Sequence, residues 1–168
     1  MTWEVPIEPC GKKLGIISSK DNISEHFSHP CRPDEPVFVI ADVPHLVKNL
    51  RNHTVGDQPI ILPDDVVAKF DLPGNTVCAK PLKQLVTYQE NCELKPAPNL
   101  TSKHLQLPHF EKMKVSAALN VFSHSVSASI ELLVDQGHLT KESLTTAWFL
   151  QTVIGGLHSC LLDFLQLL

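Results

Sequence analysis

An excess of positive charge is the first thing this sequence lacks. Its 168 residues carry a formal net charge of −4. Nothing therefore draws the whole chain toward nucleic acid or a membrane surface, and any such contact needs a local basic stripe. CxxC pairs are also missing. The five cysteines, Cys10, Cys31, Cys78, Cys92 and Cys160, are odd in number and widely spaced. That pattern argues against a disulfide framework and for reduced thiols in a nuclear or cytoplasmic, intracellular setting. The opening MTWEVPIEPCGKK has no apolar core of the kind a secretory signal needs, so none is expected there. No Gly-rich phosphate loop of the Walker type occurs, and no internal repeat or low-complexity tract stands out.

What is present suits a globular chain, with 43% apolar and 19% charged residues. Residues 1–36 are broken by Pro6, Pro9, Pro30, Pro33 and Pro36 and read mostly as loop, with one apolar run at 14–17. Residues 53–76 are punctuated by Gly56, Pro59, Pro63, Pro73 and Gly74 around a short strand-like run at 60–62. Asp64 and Asp65 after Pro63 fit the start of a short helix, where acids are favoured. From about residue 79 the pattern turns helical, with Leu82, Leu85 and Val86 sharing one face. KPAPN at 95–99 interrupts it. A long helical segment is then predicted over 108–136, on the spacing of Phe110, Met113, Ala117, Leu119, Val121 and Val126. Gly137 is a candidate stop and Thr140 a candidate cap for a last helix, with Ser143 at the third helical position.

The densest information lies at 37–52. Val37, Phe38, Val39, Ile40 and Ala41 form a continuous apolar run that suits a strand covered on both faces of a parallel α/β sheet. Pro44 fits the first turn of a following helix. Asp42 then falls at the carboxyl edge of a strand, where ligands and metals gather in open α/β sheets. An alternative is a helix cap, although with Pro44 as first helical residue the cap position belongs to Val43. The helix has Leu46, Val47 and Leu50 on one face and His45, Lys48, Arg51 and Asn52 on the other. That polar stripe could follow a phosphate backbone, although a basic stripe on a helix is usually just a solvated face.

Weaker constellations accompany it. His26, His29 and Cys31 have zinc-ligand chemistry but no fourth ligand. Ser123, His124 and Ser125 pair a nucleophile type with a base type, but neighbours on a helix point apart. Residues 147–168, AWFLQTVIGGLHSCLLDFLQLL, are long enough to span a bilayer, at a cost from Gln151, His158, Asp163 and Gln166. A packed helix burying Trp148, Phe149, Leu157, Leu161 and Leu165 is the competing account.

Three blocks, taken in order, resemble one family. ADVPHLVKNLRN (41–52) is similar to a signature of P-element-type transposases, shared by THAP-domain transposases and their domesticated relatives. LTSKHLQLPHFEKMKVSAALNVFSHSVSASI (100–130) resembles the opening of that family's GTP-binding insertion domain, and LTTAWFLQTV (144–153) the helix that follows. The resemblance covers about residues 26–153. It implies an RNase H-like catalytic domain interrupted by a helical insertion, and DNA cutting and joining with magnesium held by two Asp and one Glu. It makes Asp42 the second acidic ligand, so the metal and catalytic position in this chain. It also implies nucleotide contacts from Val115 and Ser123. A Lys near Asn99 and an Asp-x-x-Asn, where this chain reads HSCL at 158–161, complete the family's set.

The resulting expectation is a partial RNase H-like α/β segment at 1–72 followed by a mainly α-helical insertion-like segment at 73–168, α-rich overall, with a diverged tail from about 154. The first catalytic Asp and the Glu fall outside the matched stretch, so strand transfer by this chain, and magnesium with it, are not expected to be retained. GTP binding is weakened by Asn99. Three readings compete. One is a truncated or domesticated transposase copy whose partners are DNA, weakly held through Lys48 and Arg51, or the remaining transposase domains. Another is a protein-interaction module using residues 108–168. The third is a tail-anchored product.

Overall fold

The computed structural model describes residues 18–19, 22–23, 26–29, 31–38, 42–106, 108 and 112–166, with backbone alone given for 18–19, 22–23 and 157–166. The apolar run at 14–17, the residues Val39 to Ala41, Phe110, and the side chains of Leu157, Leu161 and Leu165 lie outside the described residues. The chain divides into two compact units, residues 1–42 and 43–168.

The first unit holds two antiparallel pairs. β1 (Ser18–Ser19) pairs with β2 (Asn22–Ile23), and β3 (His26–His29) with β4 (Arg32–Phe38). His26 stands opposite Phe38 and Phe27 opposite Val37, and the register shifts between Ser28 and His29. The His26 and Phe38 rings meet at 5.9 Å across the pair. Arg32 and Glu35 form an ion pair at 2.9 Å. Two expectations change here. Segment 1–36 contains strands as well as loop. The described start of the 37–41 run belongs to an antiparallel hairpin, with Phe38 61% exposed, and not to a doubly covered parallel strand. Pro33 and Pro36 explain this, since residues without an N–H are confined to edge positions of a sheet.

The second unit is helical around one small pairing. α1 (Val43–Val55) begins it. β5 (Ile60–Ile61) pairs antiparallel with β6 (Thr76–Val77), enclosing α2 (Asp64–Lys69), which opens on Asp64 and Asp65 as expected. α3 (Lys80–Glu90) follows, with Pro81 in its first turn, where a missing N–H costs nothing. Leu82 and Leu85 are fully buried and Val86 nearly so. The KPAPN stretch is loop, and α4 (Ser102–Leu105) comes after it.

Among the described residues the long helix predicted over 108–136 is interrupted, with α5 (Val115–Val121) and α6 (His124–Asp135) as separate helices. Phe122 (ψ 77°) and Ser123 (φ −136°, ψ 148°) leave the helical region between them. The Ser123 carbonyl then accepts the N–H groups of Val126 and Ser127, restarting the helix, while Phe122 is buried. Gly137 does stop α6. Its φ of +76° closes a Schellman turn in which His138 N–H donates to Leu133 O (2.8 Å) and Gly137 N–H to Val134 O (3.0 Å).

α7 (Ser143–Gln166) starts two residues later than a Thr140 cap implies. Ser143, Leu144 and Thr145 each donate back three residues, to Thr140, Lys141 and Glu142, so the entry is a tight 3₁₀ turn. Thr140 bonds the Glu142 carboxylate, which with Glu142's own backbone N–H holds that carboxyl below its ordinary range. Two buried threonines tie α7 to the β6 region. Thr145 Oγ1 donates to Gly74 O (2.9 Å) and Cys78 N–H donates to Thr146 Oγ1 (3.4 Å). Val121, Val126, Ile130, Leu133 and Leu150 join Leu82, Leu85 and Leu100 in the core. Residues 115–135 are apolar enough to cross a membrane by length and composition, but half of that stretch is buried inside the fold and it is broken at Phe122–Ser123.

Candidate nucleic-acid and nucleotide sites

The signature at 41–52 is where sequence and structure differ most. α1 begins at Val43, so Asp42 immediately precedes the helix, and its side chain is exposed. The buried face of α1 is Val47, Arg51, Thr54 and Val55. Leu46, expected on the apolar face, is 53% exposed, and Leu50 is half-buried. Arg51, expected on the outer stripe, is 0% exposed. The helix is rotated relative to the expectation. Positions 47, 51, 54 and 55 form an i, i+4, i+7, i+8 row, and the arginine lies in the middle of it.

A buried guanidinium must be hydrogen-bonded to be tolerated. Arg51 Nη1 donates to the carbonyl of His104 in α4 at 3.4 Å. His104 is itself pinned. Its Nδ1 accepts the Thr101 N–H at 3.1 Å and faces the Thr101 hydroxyl at 3.2 Å, making a capping box with histidine in the usual Glu position. Its Nε2 is 3.3 Å from the side-chain amide of Asn120 in α5. Arg51, His104, Thr101 and Asn120 thus bind α1, α4 and α5 into one polar link. Of the expected stripe, His45 is exposed, Lys48 is partly exposed, and Asn52 is partly buried with its side-chain oxygen lacking a hydrogen-bond partner.

The residues expected to touch a nucleotide are differently placed. Val115 is the half-buried first residue of α5. Ser123 lies eight positions later, at the α5–α6 break, with its hydroxyl donating to Asn120 O (3.4 Å) and close to Ser125 Oγ (3.2 Å). Asn99 is exposed in the loop before α4. A neutral amide there brings no cation to a triphosphate, and the side chains of 158–161 lie outside the described residues. Val115, Ser123 and Asn99 themselves contribute no positive charge. Metal ligation fares similarly. Among the described residues no three His, Cys, Asp or Glu side chains converge to hold an ion. His29 Nδ1 accepts the Cys31 N–H at 3.1 Å, and His26 stacks on Phe38. Asp42 alone is one ligand, short of any magnesium shell. His124 is exposed, and no acid orients it toward Ser123 or Ser125 in the hydrogen bonds formed there.

Gln89 is a structurally decisive residue that the sequence reading passed over. It is buried, its Nε2 donates to Leu100 O at 2.6 Å, and its Oε1 accepts the Ala97 N–H at 3.3 Å. It holds the loop that carries Asn99. The signal was available, since Gln89 continues the 82, 85, 86 row at i+7.

The helical second unit is that of a transposase-type insertion domain. Residues 45–160 match the family described as TNP-like, GTP-binding insertion domain, and the chain belongs to that family. It is 26% identical over 137 residues to the Transposable element P transposase of Drosophila melanogaster, covering 82% of this chain and 16% of that relative. The solved Drosophila P element transposase strand transfer complex contains a chain that superposes with a TM-score of 0.68 at 25% identity, covering 85% of this chain and 29% of that one. The protein is therefore P-element-type and transposase-related, and it spans a minor part of the relatives it matches.

Proposed function

We propose that this chain serves as a transposase-derived binding module that does not itself cut or join DNA. The observation that carries this reading is the division of labour along α1. Arg51, the side chain best suited to grip a phosphate, is committed to the core, while His45 and Lys48 remain at the surface. DNA contact through two such positions is weak and strongly salt-dependent. The P-element relative's strand transfer complex supports a nuclear, DNA-associated setting. The partial RNase H-like character of residues 1–72 belongs to this proposal, as do the roles of Asp42 as a residual acidic ligand and of magnesium as the ancestral ion. Guanine-nucleotide binding by Val115 and Ser123 is lost in this reading, for want of a cation at Asn99.

Fluorescence anisotropy with a labelled duplex tests it. Binding is expected at 50 mM salt and to fade by 200 mM, with a log–log slope of about −1 to −2 for one or two phosphates. Lys48→Ala lowers that slope by about one. Magnesium yields no cleaved strand, and a fluorescent GTP analogue shows no saturable signal. Lack of duplex binding at low salt, or indifference to Lys48→Ala, defeats the DNA part of the proposal. A protein-interaction role is favoured instead by the exposed Met113 (64%), Leu119 (47%) and Leu132 (47%) in the helical half.

A further inference from the structure

A groove of about 360 Å3 runs between α3 and the C-terminal turn of α6, lined by Lys83, Gln84, Thr87, Tyr88, Leu133, His138 and Leu139. The volume falls in the range of small-molecule clefts. It lies at the opposite end of α6 from Ser123, 12 residues of helix or about 18 Å away at 1.5 Å per residue. Nothing described above uses it.

Its parts have distinct chemistries. Leu133 and Leu139 are buried and form an apolar base. Tyr88 and His138 make an aromatic wall, with ring centroids 4.9 Å apart and planes tilted by 47°. The Schellman turn at Gly137 fixes that wall, because it turns the chain at φ +76° and ties His138 N–H to Leu133 O. Lys83, Gln84 and Thr87 are exposed along α3 and form the polar edge. Lys83 is the one formally charged side chain among the described lining residues, and no carboxylate is among them. The Thr87 hydroxyl donates to Lys83 O at 3.1 Å, so the donors lining the groove are the Lys83 ammonium, the Gln84 amide, the Tyr88 hydroxyl and the His138 ring, with the formal charge on Lys83. The carbonyls of Leu133 and Val134 at the end of α6 are engaged by the turn's own N–H groups, which blunts the negative end of the helix beside the groove.

We propose that this groove binds a small aromatic acid, a flat ring with a carboxylate one or two bonds away. The ring lies on Leu133 and Leu139 against Tyr88 and His138, by offset or edge contacts. The carboxylate faces Lys83 and Gln84. The groove is open and carries one charge, so a dissociation constant on the order of a millimolar is expected for such a ligand.

Amide-resolved NMR titration of the full chain tests it with three probes. Indole-3-acetate carries ring and charge, indole-3-acetamide the ring alone, and acetate the charge alone. Saturable shifts are expected at residues 83–88 and 133–139 with indole-3-acetate, about five-fold or more weaker binding of the amide, and no saturation by acetate. Lys83→Met keeps the stem at an exposed position and removes the charge. It should erase the preference for acid over amide while leaving the amide's binding unchanged. His138→Ala should weaken both indoles. Shifts that fail to localise to the groove overturn the proposal. So does an amide that binds as well as the acid, or an acid preference that survives in Lys83→Met. Thermal unfolding of each variant at wild-type temperature confirms that the comparison is made on folded protein.

Discussion

Arg51 is where a phosphate-binding reading and a structural reading of one residue separate most sharply. Consider Arg51→Ala. The wild-type guanidinium is 0% exposed and donates to His104 O at 3.4 Å. Losing a hydrogen bond from a charged donor costs about 1.5–3 kcal/mol. Losing the two buried methylenes beyond Cβ costs about 1.6 kcal/mol more at ~0.8 kcal/mol per CH2. Against this stands the desolvation that a buried charge no longer suffers, which returns part of the loss. A net destabilisation of about 3 kcal/mol follows, or a fall of roughly 6–12 °C in melting temperature for a chain of this size. Arg51→Met keeps most of the volume and removes the charge, so it should cost about half as much, since buried ion-to-apolar replacements of similar volume are often nearly neutral. Urea unfolding followed by circular dichroism measures both. Duplex binding is then compared at temperatures where each variant is folded. Should Arg51→Ala unfold within 0.5 kcal/mol of wild type yet lose DNA affinity, the buried link through His104 is not what Arg51 is for.

Further expectations concern other points of the fold. Gln89→Leu leaves Leu100 O and Ala97 N–H without their side-chain partner in a buried setting, so about 2–4 kcal/mol should be lost and the amide of Ala97 should exchange faster with deuterium. Gly137→Ala meets nothing within 4 Å, so its cost is the left-handed backbone alone, about 1 kcal/mol, read as a shift in the unfolding midpoint without change of slope. Thr140→Val removes the main bond to the Glu142 carboxylate, whose pKa should then rise on NMR titration. A carboxyl depressed in the folded state stabilises above its unfolded pKa and loses that contribution as pH falls through its folded value. The variant should therefore show less acid-dependent loss than wild type, and an unchanged Glu142 titration would disprove the contact.

Local features whose cause lies within a few residues were legible. Asp64 and Asp65 start α2, Pro81 and the 82, 85, 86 row make α3, and the stop at Gly137 is the turn its φ requires. Features set by tertiary packing were not. The segment 108–136 has helical spacing on both sides of residue 122, and nothing local in FSHS says that burying Phe122 decides the break. The run at 37–41 has the composition of a central strand, but the prolines at 33 and 36 limit what its neighbour can pair. In the first case the deciding constraint is the burial of one side chain, which spacing does not reveal; in the second it is a pair of prolines just outside the apolar run.

In α1 sorting the polar residues by type misplaces Arg51, where sorting by angle does not. A helix face is defined by position around the axis, 100° per residue, whatever the side chain. Placed on the wheel, Arg51 falls between Val47 and Val55, and its burial follows if those two are core. Its charge then becomes a requirement for partners, of which His104 O is one. The same reasoning places Gln89 in the core beside Leu85 and Val86 and demands bonds for both ends of its amide, which Leu100 and Ala97 meet. Lys48, by contrast, lies about 100° from Val47 and keeps solvent contact. In this unit a polar side chain on the apolar row joins helix to helix, so the surface left for partners is set by what remains off that row. On α1 that is His45, Lys48, Asn49 and His53, and on α3 Lys80, Lys83, Gln84, Thr87 and Glu90.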